Sequence, residues 1–344
     1  MSNDQHRSTG GGVRPNLTSL SNWVIPPIVR FWSYLFFEII SILCTLLVLY
    51  TILSDRALRR ALHNHIIIVL LFIGLIYEIT NIPWILHYNR TGIPMFSTTT
   101  FYLIWVFLDY TFYSVQIALF AWATIERHIL IFHDKWVGTR EKRLVVHYGP
   151  MISIILYYLI YYSIIHFAPF CENSFDVFLA GGIFVPCIFS RTFLGSWDLI
   201  IHQFIPTLII VFSSIFLVVR VVKQRRRFNQ AITWRRHRKL TVQLLSISSL
   251  YLLFNFPWTI LIFAYQYGLS EDIFSIPLVY TAYLYYYVIF LFPFACCGSF
   301  RDLRKKIKRR MLTRVNKKRP KNASQLFITR TNNDATVKRS GTNS

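Results

Sequence analysis

Acidic residues are scarce in this chain. Asp and Glu together number 15 among 344 residues, against 37 Lys and Arg, and charged residues make up only 15 % of the sequence. A soluble domain usually carries about a quarter charged residues. Hydrophobic residues instead reach 54 %, in long runs of Ile, Leu, Val, Phe and Tyr separated by short polar stretches. This alternation is typical of repeated membrane crossings rather than of one water-exposed domain.

The sequence also lacks the motifs of common enzyme and metal sites. It contains no Gly-x-Ser-x-Gly, Gly-x-Gly-Asp or His-Glu-x-x-His, its ten histidines are scattered, and its five cysteines have no zinc-site spacing. The glycine run at 10–12 lies in a polar tail that has no apolar segment typical of a signal peptide. We therefore predict that the protein is not an enzyme and has no metal and no cofactor.

The net charge of +22 does not predict nucleic-acid binding. Nearly all basic residues lie in alternate connecting segments and in the last 44 residues, so the apolar stretches offer no basic groove. Attraction of the basic tail to anionic membrane lipid fits this distribution better.

Seven apolar stretches are long enough to cross roughly 30 Å of hydrocarbon as helices. Backbone polar groups in lipid need internal partners, so helices are the expected form. Prolines within four of the stretches predict kinks at Pro83, Pro206, Pro257 and Pro293. The predicted fold class is an all-α membrane protein with a seven-transmembrane helix bundle. Its predicted stretches are 31–53, 65–87, 101–132, 147–168, 197–223, 240–267 and 277–297.

Charge bias predicts the orientation. Only five of the 37 Lys and Arg residues lie on the side that carries the N-terminus. Because cytoplasmic connections accumulate basic residues, the N-terminus is predicted outside and the C-terminal tail inside. The sequons at Asn16 and Asn89 fall on the outer side and are predicted glycosylation sites, whereas the one at Asn322 falls inside. Cys171 and Cys187 share one outer connection, where a disulfide can persist.

After the seventh stretch the chain becomes basic and amphipathic. Phe300, Leu303, Ile307 and Met311 recur at helical spacing among cations, which predicts a short amphipathic cytoplasmic eighth helix on the membrane surface. The predicted organisation is a tail at 1–30, a seven-span domain at 31–298, the amphipathic helix at 299–314 and a disordered tail at 315–344. Ser and Thr in that tail could accept phosphate, or the tail could simply be solvated.

Several motifs resemble those of the rhodopsin-like G-protein-coupled receptors. Glu126-Arg127-His128, at the end of the third stretch, resembles the Asp/Glu-Arg-Tyr triplet of that family. Read alone, Arg127 could equally be an arginine that extends to the membrane interface. Residues elsewhere match the spacing of the family pattern over roughly residues 30 to 310. They are Asn64, Leu70, Pro83, Pro206, Pro257, Pro293 and the Phe300-Arg301 pair.

The resemblance implies a receptor in the plasma membrane that couples to a heterotrimeric G protein through Glu126, Arg127 and His128. In the family the acid of the triplet holds the arginine at rest, which makes Glu126 the expected partner of Arg127. The resemblance also implies that arrestin and a receptor kinase act at the C-terminal tail. Further expected contacts with the G protein are the loops at 133–143 and 220–239.

The sequence departs from the family at several motif positions. Gly74 replaces an aspartate in the second stretch, Asn255 replaces a tryptophan in the sixth, and Cys296 ends a Pro-x-x-Tyr-like segment in place of tyrosine. Tyr102 stands where the family has a cysteine, so the resemblance implies that Cys171 pairs with Cys187. We interpret the chain as a divergent member.

The candidate ligand-binding residues start from Asp109, because charged groups within spans are costly and mark functional sites. Asp109 lies eighteen residues before Arg127, hence on the same helix face and roughly 27 Å away. In amine receptors of the family an aspartate there binds the ligand's ammonium and a tyrosine at the position of Tyr286 bonds that aspartate. Alternatively, Asp109 bonds Tyr286 and contacts no ligand. The full candidate set is Asp109, Tyr113, Asp198, His202, Trp258 and Tyr286.

The expected ligand is an extracellular cation, either a peptide or a biogenic amine, because two anions and several aromatic rings suit ion pairing and cation–π contact. Retinal is excluded, since no lysine lies between Lys239 and Lys305. A membrane transporter or channel is the alternative function, because transporters and channels both contain acidic residues within their spans. Glu38 and Glu78 are two such acids here, and they match no residue of the receptor family.

Overall fold

The computed structural model describes residues 24–132, 139–168, 171–173, 183–189, 193–227, 242–268 and 271–299. Helices dominate these residues and no strand occurs among them. Six helices are long and apolar enough to cross a membrane, and we call them the first to sixth spans. They are Pro27–Ser54, Asn64–Thr91, Thr99–Leu130, Glu141–Phe167, Phe193–Arg220 and Val242–Ala264. The prediction of an all-α, multi-pass membrane protein is confirmed at this level.

Local sequence explains where the first helices begin and end. The helix Pro27–Ser54 starts at a proline, whose missing N–H is not needed in a first turn. The Asp55 side chain then accepts a hydrogen bond from the Ala57 N–H and caps the short helix Arg56–Arg59. The next helix, Leu62–Thr91, ends at Gly92, whose φ of 76° suits glycine and whose N–H bonds the Tyr88 carbonyl.

The helix that carries the third span, Thr99–Phe132, is unbroken over 34 residues. It packs against the second, fourth and fifth spans, so it occupies the centre of the described bundle. The remaining α-helical segments are Arg140–Arg143, Gly149–Phe167, Phe193–Asp198, Ile205–Arg227, 242–250, Phe256–Gln266, Glu271–Leu284 and Tyr287–Ser299.

Three wide π-helical turns interrupt the fourth, fifth and sixth spans. Each ends two residues before a proline, which has no N–H and whose ring would clash with the carbonyl four residues earlier. Widening the turn moves that carbonyl away, so the helix continues through the proline. The pairs are Leu144–Tyr148 with Pro150, Leu199–Phe204 with Pro206, and Tyr251–Asn255 with Pro257.

The last predicted stretch, 277–297, is two helices rather than one. Ser275–Leu284 and Tyr287–Cys297 meet at 40°, and we call them the bent pair; they make a seventh span if they cross together. The break lies at Tyr285 and Tyr286, although Pro293 was the predicted kink. Pro293 lies within a regular helix, seven residues beyond the break.

Some predictions fall outside the described residues. These are Asn16 and most of the N-terminal tail, the predicted eighth helix beyond Ser299, the tail at 315–344, and most of the two predicted G-protein loops.

Candidate functional site

Asp109 lies in the first half of the third span and is 6 % exposed. Its carboxylate accepts a hydrogen bond from the Tyr77 hydroxyl of the second span. One helical turn further along, the Tyr113 hydroxyl donates to the Asn255 side-chain oxygen of the sixth span. The Asn255 amide in turn donates to the Thr207 hydroxyl of the fifth span over 3.2 Å. The third span is thus bonded to two neighbours on one face.

Tyr285, at the break of the bent pair, contacts aromatic rings of the third and sixth spans. Its ring stacks on Trp258 with centroids 5.5 Å apart and meets Tyr113 edge-on at 5.3 Å. The ring centroid of Tyr286 lies 4.0 Å from that of Tyr285. Both tyrosines are within electrostatic reach of the Asp109 carboxylate. We define the Asp109 cluster as Tyr77, Asp109, Tyr113, Asn255, Trp258, Tyr285 and Tyr286.

Four of the six predicted ligand residues therefore come together in the Asp109 cluster, namely Asp109, Tyr113, Trp258 and Tyr286. The hydrogen-bond partner of Asp109 differs from the expected one, since Tyr77 rather than Tyr286 donates to it. Tyr77 and Tyr285 were not predicted. Both belong to tyrosine-rich apolar stretches, where spacing alone does not distinguish a site residue from packing.

Asp198 and His202 form a second, separate cluster. They share a helix face as predicted, and the His202 Nδ1 lies 2.8 Å from an Asp198 oxygen. Their other partners belong to the fourth span: the Tyr162 hydroxyl donates to Asp198 over 3.0 Å and the Tyr157 hydroxyl lies 2.9 Å from His202 Nε2. Ser114 of the third span bonds Tyr162 at 2.8 Å. The pair is satisfied within an interhelical interface instead of joining the Asp109 cluster.

Two of the three triplet residues at the end of the third span are buried, and the third is partly exposed. Glu126 and Arg127 are nearly inaccessible, and His128 Nε2 lies 2.8 Å from the Ser213 carbonyl of the fifth span. The predicted partner of Glu126 was Arg127, and the two side chains do interact electrostatically. Glu126 also has a hydrogen bond with His147 Nδ1 of the fourth span, a residue that the sequence analysis did not identify.

His147 extends this contact into a hydrogen-bonded string. Its Nε2 lies 3.1 Å from His65 Nδ1 of the second span, and His65 Nε2 lies 2.9 Å from the Arg59 carbonyl. The Glu126–His147 and His147–His65 contacts therefore join the third, fourth and second spans through side chains.

A further polar group lies between the first and second spans. The Ser41 hydroxyl donates to Glu78, a contact that the sequence did not predict. Glu38 lies one turn from Ser41, and Asn81 one turn from Glu78, so antiparallel packing places them at the same depth. Within the part of the chain that the structure describes, the side-chain oxygens of Glu38 and both polar side-chain atoms of Asn81 are buried without a hydrogen-bond partner.

The cysteine prediction is confirmed, because Cys171 and Cys187 form a disulfide with their Cα atoms 6.1 Å apart. The glycosylation prediction for Asn89 needs correction. Asn89 lies in the last turns of the helix Leu62–Thr91, is 4 % exposed, and its amide donates to the Ile85 carbonyl. A glycan cannot be accommodated on a side chain in this position.

The sequence matches no protein-family model and no curated protein. The fold and the clusters described above define an all-α, multi-pass membrane protein with several buried polar clusters between its helices.

Proposed function

We propose that the chain is a divergent rhodopsin-like G-protein-coupled receptor that transmits an extracellular cationic signal to a heterotrimeric G protein. The observation that carries the proposal is that one unbroken helix holds both Asp109, in the candidate ligand site, and Arg127, in the triplet. Asp109 and Arg127 lie eighteen residues apart on the third span, roughly 27 Å along its axis. The bent pair serves as the seventh span, and the N-terminus lies outside the plasma membrane.

The Asp109 cluster has the chemistry of a cation site. A buried carboxylate in a cluster with five aromatic rings offers an ion pair and cation–π contact to an ammonium or guanidinium group. A cation entering there competes with the Tyr77 hydroxyl for the Asp109 carboxylate. A biogenic amine and a basic-ended peptide both meet this requirement.

The contacts of the cluster suggest how the signal passes. The ligand shifts a population between two arrangements of the bundle. Tyr113 links the third span directly to Asn255, which sits in the π turn of the sixth. A change in the Asp109 cluster therefore acts on the turn about which the sixth span can move away from Arg127. The face so opened, with the loops at 133–143 and 220–239, receives the G protein, and the basic tail meets lipid, arrestin and receptor kinase.

The test is G-protein activation in membranes that contain the expressed chain, challenged with a panel of amines and amidated peptides. We expect Arg127→Ala to abolish the signal and Asp109→Asn to abolish the response to a cationic agonist. Asp198→Asn is the matched control, because the structure places that aspartate in the separate cluster with His202. Its potency should stay within a few-fold of the unmodified chain at equal surface expression. Unchanged potency in Asp109→Asn would remove the ligand assignment.

A transporter or channel is the second candidate, and the unpaired polar atoms of Glu38 and Asn81 favour it. Acids in spans often mark ion or proton pathways. Ion flux into vesicles that contain the purified chain, without G protein and unchanged by Arg127→Ala, would support that function over the receptor.

A further inference from the structure

Two free cysteines lie side by side although 253 residues separate them in sequence. Cys44 Sγ of the first span is 3.4 Å from Cys297 Sγ in the second helix of the bent pair. Both residues are partly exposed, so a small uncharged oxidant can reach them. The adjacent Cys296 is fully buried at 0 % exposure, because successive residues of a helix point about 100° apart.

We propose that Cys44 and Cys297 form a reversible disulfide, with a peroxide as the oxidant. One thiol, as its thiolate, attacks an oxygen of hydrogen peroxide and becomes a sulfenic acid as hydroxide leaves. The second thiol then attacks that sulfur, and the hydroxyl leaves as water. The balance is two thiols and one hydrogen peroxide giving one disulfide and two waters. A thiol reductant returns both thiols.

The geometry requires little movement. A disulfide needs a sulfur–sulfur distance of about 2.0 Å, so the two sulfurs must approach by roughly 1.4 Å. Rotation of the two side chains about their Cα–Cβ bonds supplies displacements of this size. The first span and the second helix of the bent pair already pack against each other, so no helix has to change its neighbours.

The position of the pair gives the bond a mechanical effect. The Tyr34 hydroxyl of the first span donates to the Tyr283 carbonyl over 2.8 Å, which fixes that span to the first helix of the bent pair. The disulfide fixes the same span to the second helix. Both helices of the bent pair are then fixed to the same continuous helix, the first span. The break at Tyr285 and Tyr286 can therefore no longer flex freely.

The experiment uses the full chain with a specific protease site inserted between residues 228 and 241. After oxidation with hydrogen peroxide and blocking of free thiols, the chain is cut and run on a non-reducing denaturing gel. Cys171 and Cys187 both lie in the N-terminal fragment, so their disulfide cannot hold the two fragments together. We expect the fragments to migrate together at the mass of one chain, and to separate after dithiothreitol.

Three variants identify the cysteines involved. The joined species should persist in Cys296→Ser and disappear in Cys44→Ser and in Cys297→Ser. Peptide mass spectrometry of the oxidised, unmodified chain should show Cys44 linked to Cys297, which gives a result even where a variant folds poorly. Fragments that separate in the oxidised, unmodified chain overturn the proposal, as does a link that survives Cys297→Ser. No readout depends on G-protein coupling, so the proposed function and this inference fail separately.

Discussion

Glu126 and His147 are both nearly inaccessible, and the contact between them offsets the cost of placing either polar group inside the bundle. Removing one member of a buried pair leaves the other without its partner, which costs more than the pair contributes as a whole. The effect of changing either residue should therefore depend on whether the other is present.

A double-mutant cycle measures this dependence. Glu126→Gln and His147→Gln should each lower the free energy of unfolding, and the double variant should lose about 1–3 kcal/mol less than the sum of the two. Unfolding of the purified chain in micelles by a denaturing detergent gives the three free energies. The control combines Glu126→Gln with His166→Gln, because His166 is equally buried on the same span but nineteen residues away. Additive losses in the first cycle would contradict the proposed contact.

The sequence predicted single residues better than it predicted their partners. Asp109, Tyr113, Trp258 and Tyr286 were selected from their positions along individual helices and from the resemblance to amine receptors, and they meet in one cluster. The Tyr77–Asp109 and Glu126–His147 contacts cross between helices. Such contacts depend on helix rotation and depth, which no single-helix pattern contains. Asp198 shows the same limit, because its helix face was predicted correctly but the neighbouring span that it meets was not.

At the scale of helices, two of the four predicted proline irregularities occur, at Pro206 and Pro257, whereas Pro83 lies within the continuous helix Leu62–Thr91. Pro206 and Pro257 follow wide turns that carry the helix through the proline. Pro293 lies in a regular helix, and the break of the bent pair is at Tyr285, where the Val288 N–H bonds the carbonyl three residues back. The crowded tyrosines around Tyr285 fix that break by packing, which a proline rule does not capture.

Replacing the proline tests the role of the wide turn in the sixth span. Pro257→Ala restores an N–H and removes the ring clash, so the turn at Tyr251–Asn255 should contract to α-helix. The distance between spin labels at the exposed residues Val242 and Ile260 should then be close to the roughly 27 Å expected for 18 residues of straight helix. Leu253→Ala is the control, because that side chain is 66 % exposed in the same turn and no backbone bond depends on it. An unchanged distance in Pro257→Ala would show that packing, and not proline, sets the turn.

For the molecule as a whole, the order and approximate limits of the membrane-crossing helices followed from the sequence, because hydrophobic length is a local property. The orientation followed from the bias of 37 basic residues and remains a prediction. The sequons at Asn16, Asn89 and Asn322 provide a direct test, since only segments on the outer side meet the glycosylation machinery.

We expect the expressed chain to lose mass on a gel when treated with a glycosidase, and Asn16→Gln to abolish that shift. Asn89→Gln should leave the shift unchanged, because Asn89 is buried in a helix and its amide is bonded to Ile85. Asn322→Gln should also have no effect. A shift that depends on Asn322 would mean that the orientation is reversed.

The unbroken helix Thr99–Phe132 is longer than the hydrocarbon layer of a bilayer is thick. Its 34 residues rise roughly 51 Å, whereas the hydrocarbon layer is about 30 Å thick and accommodates about 20 of them. With the helix centred, Asp109 lies inside that layer and Glu126 and Arg127 lie at its boundary with the headgroups. A thicker membrane draws the boundary past Arg127 and raises the cost of exposing its charge, and a thinner one lowers that cost. Bilayer thickness therefore changes the cost of any movement that exposes Arg127, while Asp109 remains within hydrocarbon in either case.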